Sequence, residues 1–203
     1  MLKKHNYTGK TKEEAIKNAT LDLQELEENL IIVTQEEKKS LLSKKIEIEV
    51  VEKREVKDYL KQIIKTLLKD MGFECDMEII VTNNIPTYRL YSNNDALLIG
   101  KDGKNLKALT IIVNQILLKE LGKDYRFFID VNNYKEKSDR HIEYLAKKLA
   151  REVKETKIAV KMDKMNSYQR RLVHYVLNNN KYVYTESEGE EPNRYVVIKP
   201  RNE

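Results

Sequence analysis

Leu98-Ile99-Gly100-Lys101-Asp102-Gly103-Lys104 is the stretch on which the reading of this chain turns. Two glycines three residues apart let the backbone turn tightly and approach a ligand with no Cβ in the way. The second glycine runs into an apolar stripe at helical spacing: Leu106, Leu109, Val113, Ile116 and Leu117. A helix is therefore expected from Lys104 to about Glu120, stopped at Leu121-Gly122. Its free N–H groups and positive dipole end would favour a phosphate. Lys101 and Lys104 can add charge, and Ile99 can floor a groove for bases. Asp102 would repel a phosphate if it pointed inward, so it is expected to face solvent. A P-loop is excluded, because the glycines are too close and Asn105 follows the lysine. A dinucleotide fingerprint is excluded too, lacking a third glycine and a preceding strand. The plain alternative is a helix–helix turn that uses glycine for its positive φ.

On either side of the loop, the neighbouring elements have a definite order. A helix is expected from Arg54, with Val56, Leu60, Ile63, Leu67 and Met71 as its stripe and Gly72 as its stop. Strands at 76–82 and 87–91 flank the turn signal NNIP. A short helical turn at 94–99 precedes the loop, and a strand at 125–131 follows the second long helix. Helix, strand, strand, short helix, loop, helix, strand resembles a type II KH domain over residues 54–132. Such a domain clamps about four nucleotides of a single strand at its Gly-x-x-Gly loop. The resemblance makes Ile99, Gly100, Lys101, Asp102, Gly103 and Lys104 RNA-binding candidates.

Residues 1–53 read as a strand–helix–strand–strand unit. KKHNYTG suggests a strand, and Thr11 with Glu14 forms a capping-box pair. Ile16, Ala19, Leu23, Leu26 and Leu30 continue at helical spacing. IIVT and KIEIEVV read as strands, the second alternating at Ile46, Ile48 and Val50.

The last third opens with a basic helix at about 137–155, with apolar Ile142, Leu145, Leu149 and Val153. A strand at 157–160, a helix at 166–177 and strands at 181–185 and 194–199 follow. The last two strands are joined by the acidic turn ESEGEEPN. Within Asn166-Ser167-Tyr168-Gln169-Arg170-Arg171-Leu172-Val173-His174, Arg170 and His174 are four apart and share a helix face. They are expected on its shoulder beside Val173 and Leu177, with Arg171 and Tyr175 further outward. A guanidinium and an imidazole so placed can reach one phosphate or stack on a base. The plain alternative is a structural pair, with His174 hydrogen-bonded to backbone and Arg170 salt-bridged to an acid. No Ser, Cys or carboxylate partner has triad or metal spacing, so binding rather than catalysis is expected, with no cofactor and no metal. MNSYQRRLVH and SEGEEPNRYVVI resemble an R-three-H domain over residues 133–203, a fold associated with single-stranded nucleic acid. Where that pattern has Glu before the double Arg, this chain has Gln169.

Charge supports a polyanionic partner. Net charge is +5, and all of it arises in residues 133–203, which carry 16 basic against 11 acidic side chains. The single Cys75 excludes a disulfide framework within the chain. MLKKHNYTGK lacks the apolar core of a signal peptide, and runs such as IIV and ALLI are too short to span a bilayer. A cytoplasmic protein is expected.

Taken end to end, the chain resembles the Jag family, also called SpoIIIJ-associated proteins. The expected fold class is α+β, three small domains in series: a Jag-like N-terminal domain (1–53), type II KH (54–132) and R-three-H (133–203). The resemblance implies an RNA-binding regulator of cell elongation, division or sporulation. It implies a second small KH protein as partner, with a homodimer or an indirect membrane association through a protein partner as further options. The ligand is single-stranded RNA, or single-stranded DNA. One departure stands out: Lys38 to Ser43 reads KKSLLS where the family has a glycine-bearing stretch. The alternative is a protein-interaction scaffold for membrane-insertion or division machinery, to which the low net charge of the KH segment would be suited.

Overall fold

The computed structural model describes residues 2–39 and 44–201. Its architecture is α+β, and its contacts group into two units, Met1–Asn132 and Asn133–Glu203. Ser40 to Ser43 of the KKSLLS stretch lie outside the described residues.

In the first unit, β1 (His5–Gly9), α1 (Lys12–Leu23), β2 (Leu30–Lys39) and β3 (Lys44–Glu52) form an antiparallel sheet, order β1-β3-β2, with one helix. Thr11 caps α1 by accepting the Glu14 N–H at 3.2 Å. The Glu14 carboxylate accepts from the Lys10 N–H at 2.6 Å, one residue before the N-cap, so the expected box is wider than its usual form. The expected helix is cut short. Gln24 adopts a left-handed conformation (φ 53°), Leu26 is exposed and Leu30 opens β2. The reversal is what brings β2 alongside β3. Only the small Ala15 and Ala19 of α1 are buried, against Ile48 and Val50 of β3. Val51 and Ile31 instead join a larger core with Val56 and Leu60. The sheet is therefore covered on both faces.

α2 (Lys53–Asp70) follows β3 directly. Val56, Leu60, Ile64 and Leu68 are its buried line, while Met71 is exposed. This line is rotated from the expected stripe because α2 packs against the N-terminal sheet as well as the rest of the larger core. β4 (Cys75–Thr82) and β5 (Ile85–Ser92) form a hairpin closed by Thr82 opposite Ile85. Asn83 and Asn84 both have positive φ (51° and 61°), as a two-residue hairpin turn requires. α3 (Asp95–Ile99), a 3-10 turn at Lys101–Gly103, α4 (Lys104–Leu121) and β6 (Phe128–Val131) complete the unit. β4 pairs antiparallel and β6 parallel with the central β5. Tyr88, Leu90, Ile129 and Val131 point from this sheet onto α2 and α4, with Leu109, Val113, Leu117 and Leu121 as the buried line of α4.

The second unit comprises α5 (Tyr134–Thr156), β7 (Val160–Lys164), α6 (Ser167–Leu177), β8 (Val183–Glu188) and β9 (Tyr195–Pro200), with antiparallel sheet order β7-β9-β8. β7 begins later than expected, because Lys157 ends α5 in a left-handed conformation (φ 59°) and the chain must turn before pairing. α5 buries Ala146, Ala150 and Val153, and these meet Val173 and Leu177 of α6 and Val183, Val196 and Ile198 of the sheet. Among the described residues, no helix is long and apolar enough to cross a membrane.

Candidate nucleic-acid interface

The loop between α3 and α4 is a consequence of its glycines. Gly100 has φ 71° and ψ 177°, and Gly103 has φ 75°. Asp102 between them is also left-handed, at φ 56°. At Gly100 there is no room for a side chain, since a Cβ would lie 2.5 Å from Cγ of Asn105. That amide is not idle: its Nδ2 donates to the Leu97 carbonyl at 2.8 Å and ties α4 back to α3. The Gly103 N–H donates to the Gly100 carbonyl at 3.2 Å, closing the turn.

α4 starts at this turn with no side-chain cap and no acidic residue in its first turn. Gly103 and Lys104 donate their own N–H groups to the Gly100 and Lys101 carbonyls, so what the turn offers a phosphate is the dipole end of α4 and the N–H groups that follow. Lys101, Asp102 and Lys104 are exposed, Asp102 as expected, and Ile99 is half-buried against the core beneath the loop. Two neighbours at the loop are absent from the sequence-predicted site. Asn105 braces the turn from a position that, in sequence, only argues against a P-loop. Lys107 lies one turn along α4 and is exposed; its spacing from Lys104 is the signal that could have found it.

The Arg170–His174 pair is organised differently. α6 opens with a complete capping box: Asn166 Oδ1 accepts the Gln169 N–H at 3.0 Å, and Gln169 Oε1 accepts the Asn166 N–H at 3.1 Å. An amide in place of the expected carboxylate keeps this box without its charge. Arg170 is 7% exposed. Its Nη1 donates to the Met165 carbonyl at 2.9 Å and pairs with Glu191 Oε1 at 2.9 Å. The guanidinium therefore braces the start of α6 against the turn before β9. His174 Nδ1 lies 2.6 Å from Thr185 Oγ1 and Nε2 lies 2.8 Å from Ser187 Oγ. A neutral ring donates from one nitrogen and accepts at the other, and either hydroxyl can play either part. Burial holds the His174 pKa below the usual histidine value, and the Arg170 charge adds to the effect.

Arg170 and His174 are thus brought together as the spacing suggested. Arg171 is not part of their cluster: it is exposed, and its Nε donates to the Ser167 carbonyl at 3.3 Å. The supporting partners Thr185, Ser187 and Glu191 lie in the TESEGEEPN string, most of which enters the R-three-H resemblance, but nothing in its spacing marks these three as partners of Arg170 and His174. The acids of β8 are partly neutralised, since Lys199 bridges Glu186 (2.5 Å) and Glu188 (2.8 Å).

Residues 140–200 match the family model of the R-three-H domain. An RNA-binding protein KhpB of Clostridium symbiosum is 33% identical over 204 residues, covering 97% of this chain and 91% of that protein. KhpB of Bacillus subtilis is 29% identical over 153 residues, 74% of each chain. KhpB of Lactiplantibacillus plantarum is 34% identical over 142 residues, which are 70% of this chain but only 42% of that longer protein. Sharing a third of its residues along nearly the whole of a relative, and carrying the R-three-H match where Arg170 and His174 meet, the chain belongs to the KhpB, or Jag, family.

Proposed function

We propose that this chain binds single-stranded RNA and acts as a regulator, without catalysing a reaction on it. The observation that carries this reading is the Gly100–Gly103 loop. It delivers a helix N-terminus with no side-chain cap and no acidic residue in its first turn, beside exposed Lys101, Lys104 and Lys107, with Asp102 the one acid of the loop itself. Phosphates would lie on the first turn of α4, with bases over Ile99. Arg171 would supply a second contact from α6, with Arg170 and His174 packed beneath and setting its position. The names of the relatives, RNA-binding protein KhpB, and the R-three-H match support the reading. Segments 1–53, 54–132 and 133–203 are proposed as the three domains of that family. A role in bacterial cell elongation, division or sporulation, and a second small KH protein as partner, are proposed from the family alone.

The test is fluorescence anisotropy with labelled single-stranded RNA and matched DNA, comparing wild type with Gly100→Asp/Gly103→Asp. Salt-sensitive RNA binding that is lost in a folded double variant is expected. Unchanged affinity in a folded double variant would remove the loop assignment.

A protein-interaction scaffold, with indirect membrane association or a homodimer, is favoured by one feature. Leu67, Met71, Phe73, Leu97, Ala108 and Ile112 line an apolar recess of about 340 Å³ beside the loop. Binding of a purified small KH protein that persists after RNase treatment, in a chain with no RNA affinity of its own, would favour this second reading.

A further inference from the structure

The outward face of α6 carries a feature that the Arg170–His174 pair does not account for. Tyr168, Arg171 and Tyr175 recur at i, i+3 and i+7 and so share one face. That face is opposite the buried Arg170, Val173 and Leu177. Tyr168 is held: its hydroxyl donates to Asp139 at 2.7 Å, and the Lys135 ammonium lies 5.3 Å from its ring centroid. Tyr175 is bare. It is 81% exposed, and its side chain makes no hydrogen bond or ring contact with a described residue. A large ring left in water contributes almost nothing to the fold, whereas an amphipathic ring is well suited to a binding surface. Arg171, one turn earlier, is anchored at Nε by the Ser167 carbonyl and keeps its terminal nitrogens toward solvent.

We infer that Arg171 and Tyr175 form a base-stacking platform for single-stranded nucleic acid, beside the Arg170–His174 cluster. The Tyr175 ring receives a nucleobase, and the Arg171 guanidinium takes the adjoining phosphate. At i and i+4 the two side chains start about 6 Å apart on the same face, so both can engage one nucleotide. Such a platform tolerates any base, because every base has a π-face, and it favours single strands, whose bases are free to leave their neighbours. It also gives the excess positive charge of residues 133–203 a specific use. This inference rests on the RNA-binding reading above.

The chain contains no tryptophan, so Tyr175→Trp introduces a unique fluorophore into the full-length protein. With a mixed-sequence single-stranded RNA, the indole of Tyr175→Trp should be quenched over the concentration range in which anisotropy reports binding. The indole of Tyr144→Trp, at another exposed tyrosine on α5, should not be. Tyr175→Ala should bind about ten-fold more weakly, and Tyr175→Phe should lose far less, because the ring does the stacking. RNA binding without quenching, and with Tyr175→Ala at wild-type affinity, would overturn the platform and leave the RNA reading intact. No RNA binding by any variant, wild type included, would overturn both.

Discussion

The Gly-x-x-Gly loop and the Arg170–His174 cluster are both short motifs with a nucleic-acid association, yet they are built in opposite ways. At the loop, the charged side chains are left open: α4 begins without a side-chain cap, and Lys101, Lys104 and Lys107 stand in solvent. At the cluster, polar groups are closed on each other. Arg170 is held by Met165 and Glu191, and His174 by Thr185 and Ser187. An open array of donors can accept a phosphate at little cost, whereas a satisfied cluster must first break its own hydrogen bonds. The loop is thereby suited to contact and the cluster to positioning. Arg171 shares properties of both, a neighbour of the cluster in sequence but an exposed side chain in space.

Substitutions probe this contrast directly. The largest effect is expected at the loop. If Gly100→Asp/Gly103→Asp removes two charge-assisted hydrogen bonds, RNA affinity should fall roughly a hundred-fold. Circular dichroism should show the fold retained, since the side chain added at Gly100 displaces the exposed Asn105 amide from the Leu97 carbonyl and rearranges the loop without entering the core. Arg170→Ala should act mainly on stability, lowering it by about 1.5 kcal/mol, because the Met165 carbonyl loses its donor. Denaturant unfolding measures this, and an unchanged midpoint would contradict the bracing role. Arg171→Ala should leave stability nearly unaltered and reduce the salt slope of RNA binding by about 0.7, one single-strand phosphate contact. An unchanged slope would remove Arg171 from the interface.

The smallest effect is a pH dependence. With its pKa lowered in the folded state, His174 gives stability that is fully present above the unfolded value near 6.5. That stability is lost as pH falls through the folded value, because the unfolded chain binds the proton first. His174→Gln should flatten the fall in thermal midpoint below pH 6.5. A variant retaining the full wild-type fall would place the titrating group elsewhere.

Much of the fold and part of the site are legible in the sequence, for local reasons. Gly72, Gly122 and the NNIP turn mark element ends through backbone conformation, and the element order of residues 54–132 follows from apolar spacing. Other features depend on partners distant along the chain. Gln24 ends α1 without a glycine to announce it. Ile31 and Val51 look like ordinary strand residues, but they pack with Val56 and Leu60 of α2. The helical wheel puts Arg170 on a shoulder, and only the presence of the Met165 carbonyl and Glu191 explains why it is buried. His174 likewise depends on hydroxyls 11 and 13 residues away. Spacing places side chains on faces, but not the polar partners that decide whether a face is open or closed.

Whether the open loop is the contact can be read from amide shift mapping of the isotope-labelled chain during titration with single-stranded RNA. The amides of Gly103, Lys104 and Asn105 should move first and furthest, because they lead α4 toward the phosphate. Saturating RNA that leaves these amides unmoved, while others shift, would contradict an open loop as the RNA contact.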